Sequence, residues 1–363
     1  MKRILSFLFA LLLCLPPITA LAVAENEAPT SLSAECAALL EADGKRLLYG
    51  KNADKRHAMA STTKIMTALV ALRHMSLSTV ITVPKEAVGV EGSSVYLKEG
   101  ERYTLEALLY ALLLQSANDA AEVIAYAVAG GISQFADLMN EEATALGLND
   151  THFANPHGLD AEDHYTTARE LALLTCEALE DSDLAAIVAS RRYVFTSVDG
   201  SNPRTLINHN KLLVLYDGAI GVKTGYTKRC GRCLASAAER DGLRLVAVTL
   251  DAPSDWNDHR LLLDYGFSTY ESRLLAPAGT LTVSLPLFNQ GGTARAHNRD
   301  DIRFVLRRDA ETPTPSFEVL PFPTAPLFAG SSAGTVSFSE DGYTVTAPLV
   351  FSEDIPLNKK HKG

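Results

Sequence analysis

The chain has 363 residues, more than one ordinary domain needs, so two domains are expected. An apolar fraction of 47% and a charged fraction of 21% exclude a disordered, collagen-like or disulfide-stapled miniature protein. A net charge of −10 without a long basic stripe argues against a nucleic-acid partner, whose binding rests on neutralising phosphates.

Residues 1–24 read as a secretory signal peptide. Lys2 and Arg3 precede an apolar run from Ile4 to Leu15, and Ala20-Leu21-Ala22 and Ala22-Val23-Ala24 offer small residues for cleavage. The run is short for a membrane span, and Cys14 follows Leu13 rather than a small residue, unlike a lipoprotein signal. The chain is therefore expected to be exported, to the cell wall or the outer face of the cytoplasmic membrane.

The polar stretch Glu25 to Thr30 is expected to be disordered. Asp43-Gly44-Lys45 between Ala37–Ala42 and Arg46–Gly50 predicts a hairpin. From Ser61 the apolar residues Ile65, Met66, Leu69, Val70 and Leu72 take a helical period. Val80 to Val83 and Ser94 to Leu97 read as short strands. Helices are expected at Leu105–Leu114, Asp119–Ala129, Phe135–Leu146 and Thr167–Ala178, with a loop holding Asn155-Pro156-His157-Gly158-Leu159-Asp160. Strands follow at Ala219–Tyr226, Leu234–Ala238 and Leu243–Leu250, then a helix at Leu261–Tyr270.

Strands, then helices, then strands and a helix predict an α+β domain over residues 25–275, with a mainly antiparallel sheet completed by both ends. After Pro277, Leu281–Phe288, Ile302–Arg307, Thr335–Phe338 and Tyr343–Val350 predict a small all-β domain over 276–352. Residues 353–363 form a basic tail ending Lys359-Lys360-His361-Lys362.

Ser61-Thr62-Thr63-Lys64 places a hydroxyl and an amine three residues apart at a helix start. There the amine can reach the hydroxyl, and the helix terminus favours a developing negative charge. A serine needs such a base, and the base must be an uncharged lysine, which burial and a second cation would favour. Ser116-Ala117-Asn118 interrupts the helical block, and Lys223-Thr224-Gly225 lies in a strand, where a lysine and a hydroxyl suit a carboxylate. The glycine allows close approach to a strand edge. Each triplet alone is common; their order and contexts together are specific.

With these motifs the chain resembles the low-molecular-mass penicillin-binding, active-site-serine D-alanyl-D-alanine carboxypeptidases, whose signature is S-x-x-K, S-D-N and K-T-G. His157-Gly158-Leu159-Asp160, Tyr165-Thr166-Thr167-Ala168-Arg169 and Gly221-Val222-Lys223-Thr224-Gly225-Tyr226-Thr227 extend the resemblance over about Ala34 to Phe267. One departure is Ala117 in place of the aspartate. The resemblance implies a β-lactamase/transpeptidase-like fold and a hydrolase needing no metal or cofactor. Its substrate would be a peptidoglycan stem peptide ending in D-Ala-D-Ala, and β-lactams would acylate it. It assigns attack to Ser61, proton abstraction to Lys64 and proton relay to Ser116 with Lys223. Asn118 would hold the substrate backbone. Lys223, Thr224 and Gly225 would bind the terminal residue, and the backbone N–H groups of Ser61 and Tyr226 would form the oxyanion hole.

Two alternatives remain: a serine β-lactamase on the same fold, and a non-catalytic module that binds peptidoglycan or β-lactams. A lactamase would need a glutamate opening E-x-x-L-N, but Glu170-Leu171-Ala172-Leu173-Leu174 lacks the asparagine, so Glu170 reads as structural. His157 reads as a structural hydrogen-bonding residue, Arg169 as one partner of a carboxylate, and Trp256 as packing. Cys230-Gly231-Arg232-Cys233 is a lone C-x-x-C, a local disulfide or two free thiols rather than a metal site, which would need a second pair of ligands. Membrane association stays open. Ile355-Pro356-Leu357-Asn358 is too poor in apolar residues for an anchoring amphipathic helix, so no C-terminal anchor is expected.

Overall fold

The computed structural model describes residues 28–201 and 203–358. The signal-peptide reading, residues 25–27 and the end of the basic tail lie outside these. The stretch after Glu25 is held at its far end, because the Pro29 carbonyl accepts a 2.9 Å hydrogen bond from the Tyr49 hydroxyl.

The expected hairpin forms from β1 (Cys36–Glu41) and β2 (Arg46–Lys51). The buried Glu41 carboxylate fixes its turn by accepting from the N–H groups of Asp43 and Gly44. A 3-10 turn at Ala60–Thr63 runs into helix α1 (Lys64–His74). Strands β3 (Val80–Thr82) and β4 (Arg102–Thr104) pair, and Thr104 caps α2 (Leu105–Leu114) by accepting from the Ala107 N–H. Next come α3 (Asn118–Ala129), α4 (Ile132–Ala145), α5 (Ala168–Glu180) and α6 (Ser182–Ala189). Thr167 caps α5, and Asp181 caps α6 through two N–H groups, as short polar side chains do at helix starts. Two short strands, β5 (Arg192–Phe195) and β6 (Arg204–Ile207), pair ahead of the one-turn helix α7 (Leu212–Leu215).

The central sheet is completed by β7 (Ala219–Thr227), β8 (Gly231–Arg240) and β9 (Leu243–Leu250) in the antiparallel order β2-β1-β9-β8-β7. Alternation sorts its side chains onto two faces. Ala38, Leu40, Ala235, Ala237, Val246 and Val248 pack with the helical block, while Leu39, Leu234, Ala238, Leu245 and Ala247 pack with Leu262, Leu263 and Phe267 of α8 (Asp255–Thr269). Both faces are covered, which is why β1 reads as an apolar run and not as an alternating one. The chain is α+β.

Helix α8 starts a turn and a half ahead of its expected first residue, because the polar Asp255 and Asp258 of its early turns carry no apolar signal. It runs directly into β10 (Tyr270–Ala276), which pairs with β13 (Ile302–Arg307). The β-rich part therefore begins at Tyr270, ahead of the composition change near Pro277. A second five-stranded sheet has the order β11-β12-β16-β15-β14. Its strands are β11 (Thr282–Pro286), β12 (Thr293–Asn298), β14 (Pro315–Val319), β15 (Ser332–Glu340) and β16 (Tyr343–Phe351). Strand β12 escapes sequence reading because its inward residues are two alanines, Ala294 and Ala296, and the polar Asn298, which give no strong apolar alternation. Residues 355–358 are not helical.

Ser94–Leu97 is not a strand. Asn118 donates its N–H to the Ser93 carbonyl, while Val95 and Leu97 donate theirs to the Asp119 carboxylate at 3.2 and 3.0 Å. Those backbone groups are satisfied by a side chain, so no ladder forms.

Candidate active site

Ser61 lies inside the 3-10 turn, in which residues three apart eclipse one another. Lys64 thus stands over it, its Nζ 2.9 Å from Ser61 Oγ. The amine is completely buried. It also donates to Asn118 Oδ1 at 2.7 Å and to the His157 carbonyl at 2.5 Å. Burial holds its proton affinity well below the usual lysine range, and the charge of Lys223 lowers it further, against a smaller opposing pull from Asp119. The buried hydroxyls around it are satisfied: Thr62 donates to the Met59 carbonyl, Thr63 to Ala60 and Thr67 to Pro156.

The interruption between α2 and α3 turns at Ser116, which takes a left-handed φ of 59° and lines the same cleft as Ser61. Asn118 is buried with both ends of its carboxamide engaged: Oδ1 on Lys64, and Nδ2 on the Glu91 carbonyl at 2.6 Å. Each end keeps one further hydrogen-bonding position.

Strand β7 supplies the other wall. Lys223 is buried and donates to the Thr224 carbonyl at 2.8 Å; burial lowers its proton affinity to about 7. Gly225 comes so close to the serine turn that a Cβ there would lie 3.0 Å from the Ser61 nitrogen and 3.1 Å from Ala60 Cβ. Any side chain would push β7 away from Ser61. Thr224, Gly225 and the exposed Tyr226 border a cleft of about 610 Å³ that also reaches Ser61, Ser116, His209 and Trp256.

The loop after α4 closes the floor. Asn155 Oδ1 accepts from the Gly158 N–H at 2.7 Å, and its Nδ2 donates to the Leu159 carbonyl at 2.9 Å. This turn aims the His157 carbonyl at Lys64. Gly158 has φ +89°, and a Cβ there would meet the Ala60 oxygen at 1.9 Å, so only glycine fits. The His157 ring is structural, as expected. Its Nδ1 accepts from the Leu159 N–H, leaving the proton on Nε2, 3.5 Å from Glu122 Oε1. Burial lowers its affinity for a second proton.

Ser61, Ser116, Thr224, Gly225 and Tyr226 line one cleft; Lys64 is buried against Ser61, Asn118 against Lys64, and Lys223 against the Thr224 carbonyl. Sequence reading missed three contributors: the His157 carbonyl, Asn155 and Asp119. The first is a backbone group with no residue signature. The other two had a signal, an Asn-Pro-His-Gly turn and an acid in a helix's first turn. Arg169 finds its carboxylate in Asp54, a bidentate pair at 2.5 and 3.0 Å. The Glu170 oxygens are taken by the Asp150 N–H and the Thr151 hydroxyl. Trp256 packs against the apolar cluster under α8 and also borders the cleft, so the packing reading is only half of its position. Cys230 and Cys233 are free thiols. Glu35, His57 and Asp251 bring possible metal-ligand atoms within 4.8 Å of one another, but the Lys55 ammonium already holds Glu35.

A family model described as D-alanyl-D-alanine carboxypeptidase matches residues 22–254. The chain belongs to this family. It is 30% identical to the D-alanyl-D-alanine carboxypeptidase DacF of Bacillus subtilis, an alignment covering 98% of this chain and 95% of that one. It is 32% identical to DacC of Escherichia coli over 93% and 88%. Among solved structures, a peptidoglycan synthesis regulatory factor (PBP3) from Streptococcus pneumoniae superposes with a TM-score of 0.80 at 24% identity, over 90% of this chain and all of that one, and shows the shared fold. A mutant of the Streptomyces K15 DD-transpeptidase gives 0.63 at 33% identity over 66% of this chain and all of that one. The carboxypeptidases thus share the fold of penicillin-binding transpeptidases, and this chain carries it.

Proposed function

We propose that the protein is an exported serine-type carboxypeptidase that removes the terminal D-alanine from peptidoglycan pentapeptides through an acyl-enzyme on Ser61. The reaction is assigned to the unit over 25–275, with 276–352 as a separate β-rich unit.

One observation carries the reading. Two of the three neighbours of the Lys64 amine, Asn118 Oδ1 and the His157 carbonyl, can only accept hydrogen bonds. A neutral amine spends its two N–H groups on them, and its lone pair is left facing the Ser61 hydroxyl. That hydroxyl then donates to Lys64, the geometry a general base requires. Ser61 Oγ attacks the carbonyl between the two D-alanines as Lys64 takes its proton. The oxyanion lies between the N–H groups of Ser61 and Tyr226; one such donor is worth about 3 kcal/mol. Collapse breaks the C–N bond, and the leaving amine receives a proton through Ser116 and Lys223. Asn118 uses its remaining hydrogen-bonding positions on the substrate backbone. Lys223 and Thr224 hold the terminal carboxylate beside Gly225. Water then hydrolyses the ester. A β-lactam acylates Ser61 by the same step and leaves slowly.

A fluorescent penicillin should label the wild type and hold for minutes, and should not label Ser61→Ala. Mass spectrometry of a pentapeptide substrate should show loss of one D-alanine. Rapid multiple turnover of a chromogenic cephalosporin would favour a β-lactamase, whose deacylating glutamate has no free candidate at Glu170. A second reading, transpeptidation, is favoured by the likeness to a DD-transpeptidase. Cross-linked product in the same assay would select it. Absence of both labelling and D-alanine release would sink the proposal.

A further inference from the structure

The Cys230-Gly231-Arg232-Cys233 segment takes no part in the reaction above, yet it is built into the wall of the site. Cys230 Sγ and Cys233 Sγ are 4.0 Å apart, with Cys233 donating to Cys230. They sit where β7 turns into β8. Cys233 pairs across the ladder with Gly225, and its Sγ lies 3.8 Å from the Ala58 carbonyl, just ahead of the serine turn. Cys230 is wired to the end of β7. Its N–H donates to Thr227 Oγ1 at 3.1 Å, and the Thr227 hydroxyl lies 3.1 Å from Cys230 Sγ and 2.9 Å from Asp160 Oδ1.

The two thiols are chemically unlike. The hydrogen bond from Cys233, with help from Thr227, brings Cys230 down to about 6, whereas that same bond and burial push Cys233 far up. Negative charge therefore collects on Cys230 while Cys233 keeps its proton, the division of labour between an attacking and a resolving thiol. Burial pushes Cys36 up and Cys176 up to about 12, which keeps those two inert. Lys228 and Arg229 are exposed immediately before Cys230 and form a cationic rim suited to an anionic reagent.

We propose that Cys230 and Cys233 are a reversible redox site: a low-molecular-weight anionic disulfide converts them to an intramolecular disulfide, and this slows acylation of Ser61. The Cys230 thiolate attacks one sulfur of the reagent, whose S–S bond breaks and releases one thiolate. Cys233 then gives up its proton and attacks the Cys230 sulfur, releasing the second. The two protein thiols are oxidised, one external disulfide becomes two thiols, and the protons pass to them. Both sulfurs are covered, so exchange waits on opening of the Lys228–Arg229 turn and is slower than at an exposed thiol. Closing the gap from 4.0 Å to a bond of about 2.05 Å pulls Cys230 off Thr227, the neighbour of Tyr226. Displacing a positioned group by about 1 Å can cost roughly a hundredfold in rate, so a slowing of about tenfold or more is expected. This second clause rests on the carboxypeptidase reading.

The test equilibrates the mature protein in glutathione buffers of rising oxidised fraction, traps free thiols by alkylation and maps them by peptide mass spectrometry. Fluorescent-penicillin acylation is timed in parallel. The proposal expects a Cys230–Cys233 disulfide, Cys36 and Cys176 still alkylated, and acylation that slows with oxidation and recovers on reduction. Cys230→Ser and Cys230→Ala should acylate at one rate in every buffer. A pair that stays reduced throughout, or a disulfide that leaves acylation unchanged, overturns the proposal. Disulfide formation in a protein that penicillin labels in neither state overturns the carboxypeptidase reading and the second clause with it.

Discussion

The cleft region and the C-terminal β-rich region bury different chemistry. Around the cleft the core encloses Lys64, Lys223, Asp119, Glu122, Glu170 and several histidines. Beyond Tyr270, among the described residues, the only buried polar side chain is Asn298, which donates to the Pro277 and Asp300 carbonyls and accepts from the Leu281 N–H. Buried charge is costly unless it is paired or neutralised. A region that buries two amines, one lowering the proton affinity of the other, holds chemistry that an apolar core would not need. The β-rich region has the opposite composition, that of a packed support.

The contrast can be broken most forcefully at Lys64. Lys64→Met should lower penicillin acylation by roughly 10²–10⁴-fold while circular dichroism shows a folded protein, since the base is lost and the volume kept. An unchanged rate would mean that the buried amine is only structural. Gly158→Ala comes next. Its Cβ would strike the Ala60 oxygen at a φ of +89°, so the serine turn must shift. Acylation should fall at least about tenfold and stability by about 2 kcal/mol, read by thermal melting.

The two lysines also predict opposite pH limbs. In the proposed reaction Lys223 binds a carboxylate as a cation, and burial lowers its proton affinity to about 7. Above that pH, KM for a peptide carboxylate should rise by up to about tenfold per unit. In the same scheme Lys64 works uncharged, so the acylation rate at saturating substrate should fall on the acid side as Lys64 gains its proton. A KM independent of pH between neutral and alkaline conditions would remove Lys223 from carboxylate binding. The smallest effect on activity belongs to the β-rich region. Leu349→Ala, at a fully buried position, should cost that region about 2–5 kcal/mol in a melting experiment and leave acylation untouched. Coupled loss of acylation would show that the two regions are not independent.

Much of the site was legible because its groups travel in short motifs. The amine three residues from the hydroxyl, the hydroxyl and carboxamide between two helices, and the lysine-threonine-glycine of a strand each carry a local geometry. What escaped was backbone. The carbonyl of His157 holds the Lys64 amine, but sequence reading sees only the imidazole. Ser94–Leu97 looked like a strand because nothing local shows that Asp119, a helix away, takes its N–H groups. Strand β10 went unread beyond its first residue, Tyr270, which the expected helix took in because it follows α8 without a turn residue. The fold class was legible from the order of periodicities, since strands at both ends of a helical block have no better partners than each other.

From its residue order alone this chain fixed its hairpin, its helical block, its three reactive triplets and the kinship they imply, because each depends on spacing within a few residues. Folding alone decided which acceptors surround the Lys64 amine, how near Gly225 comes to Ser61, and that Cys230 faces Cys233 beside the site. Proton affinity and reactivity answer to dehydration and to neighbours brought from distant parts of the chain, and those exist only once the layers have packed.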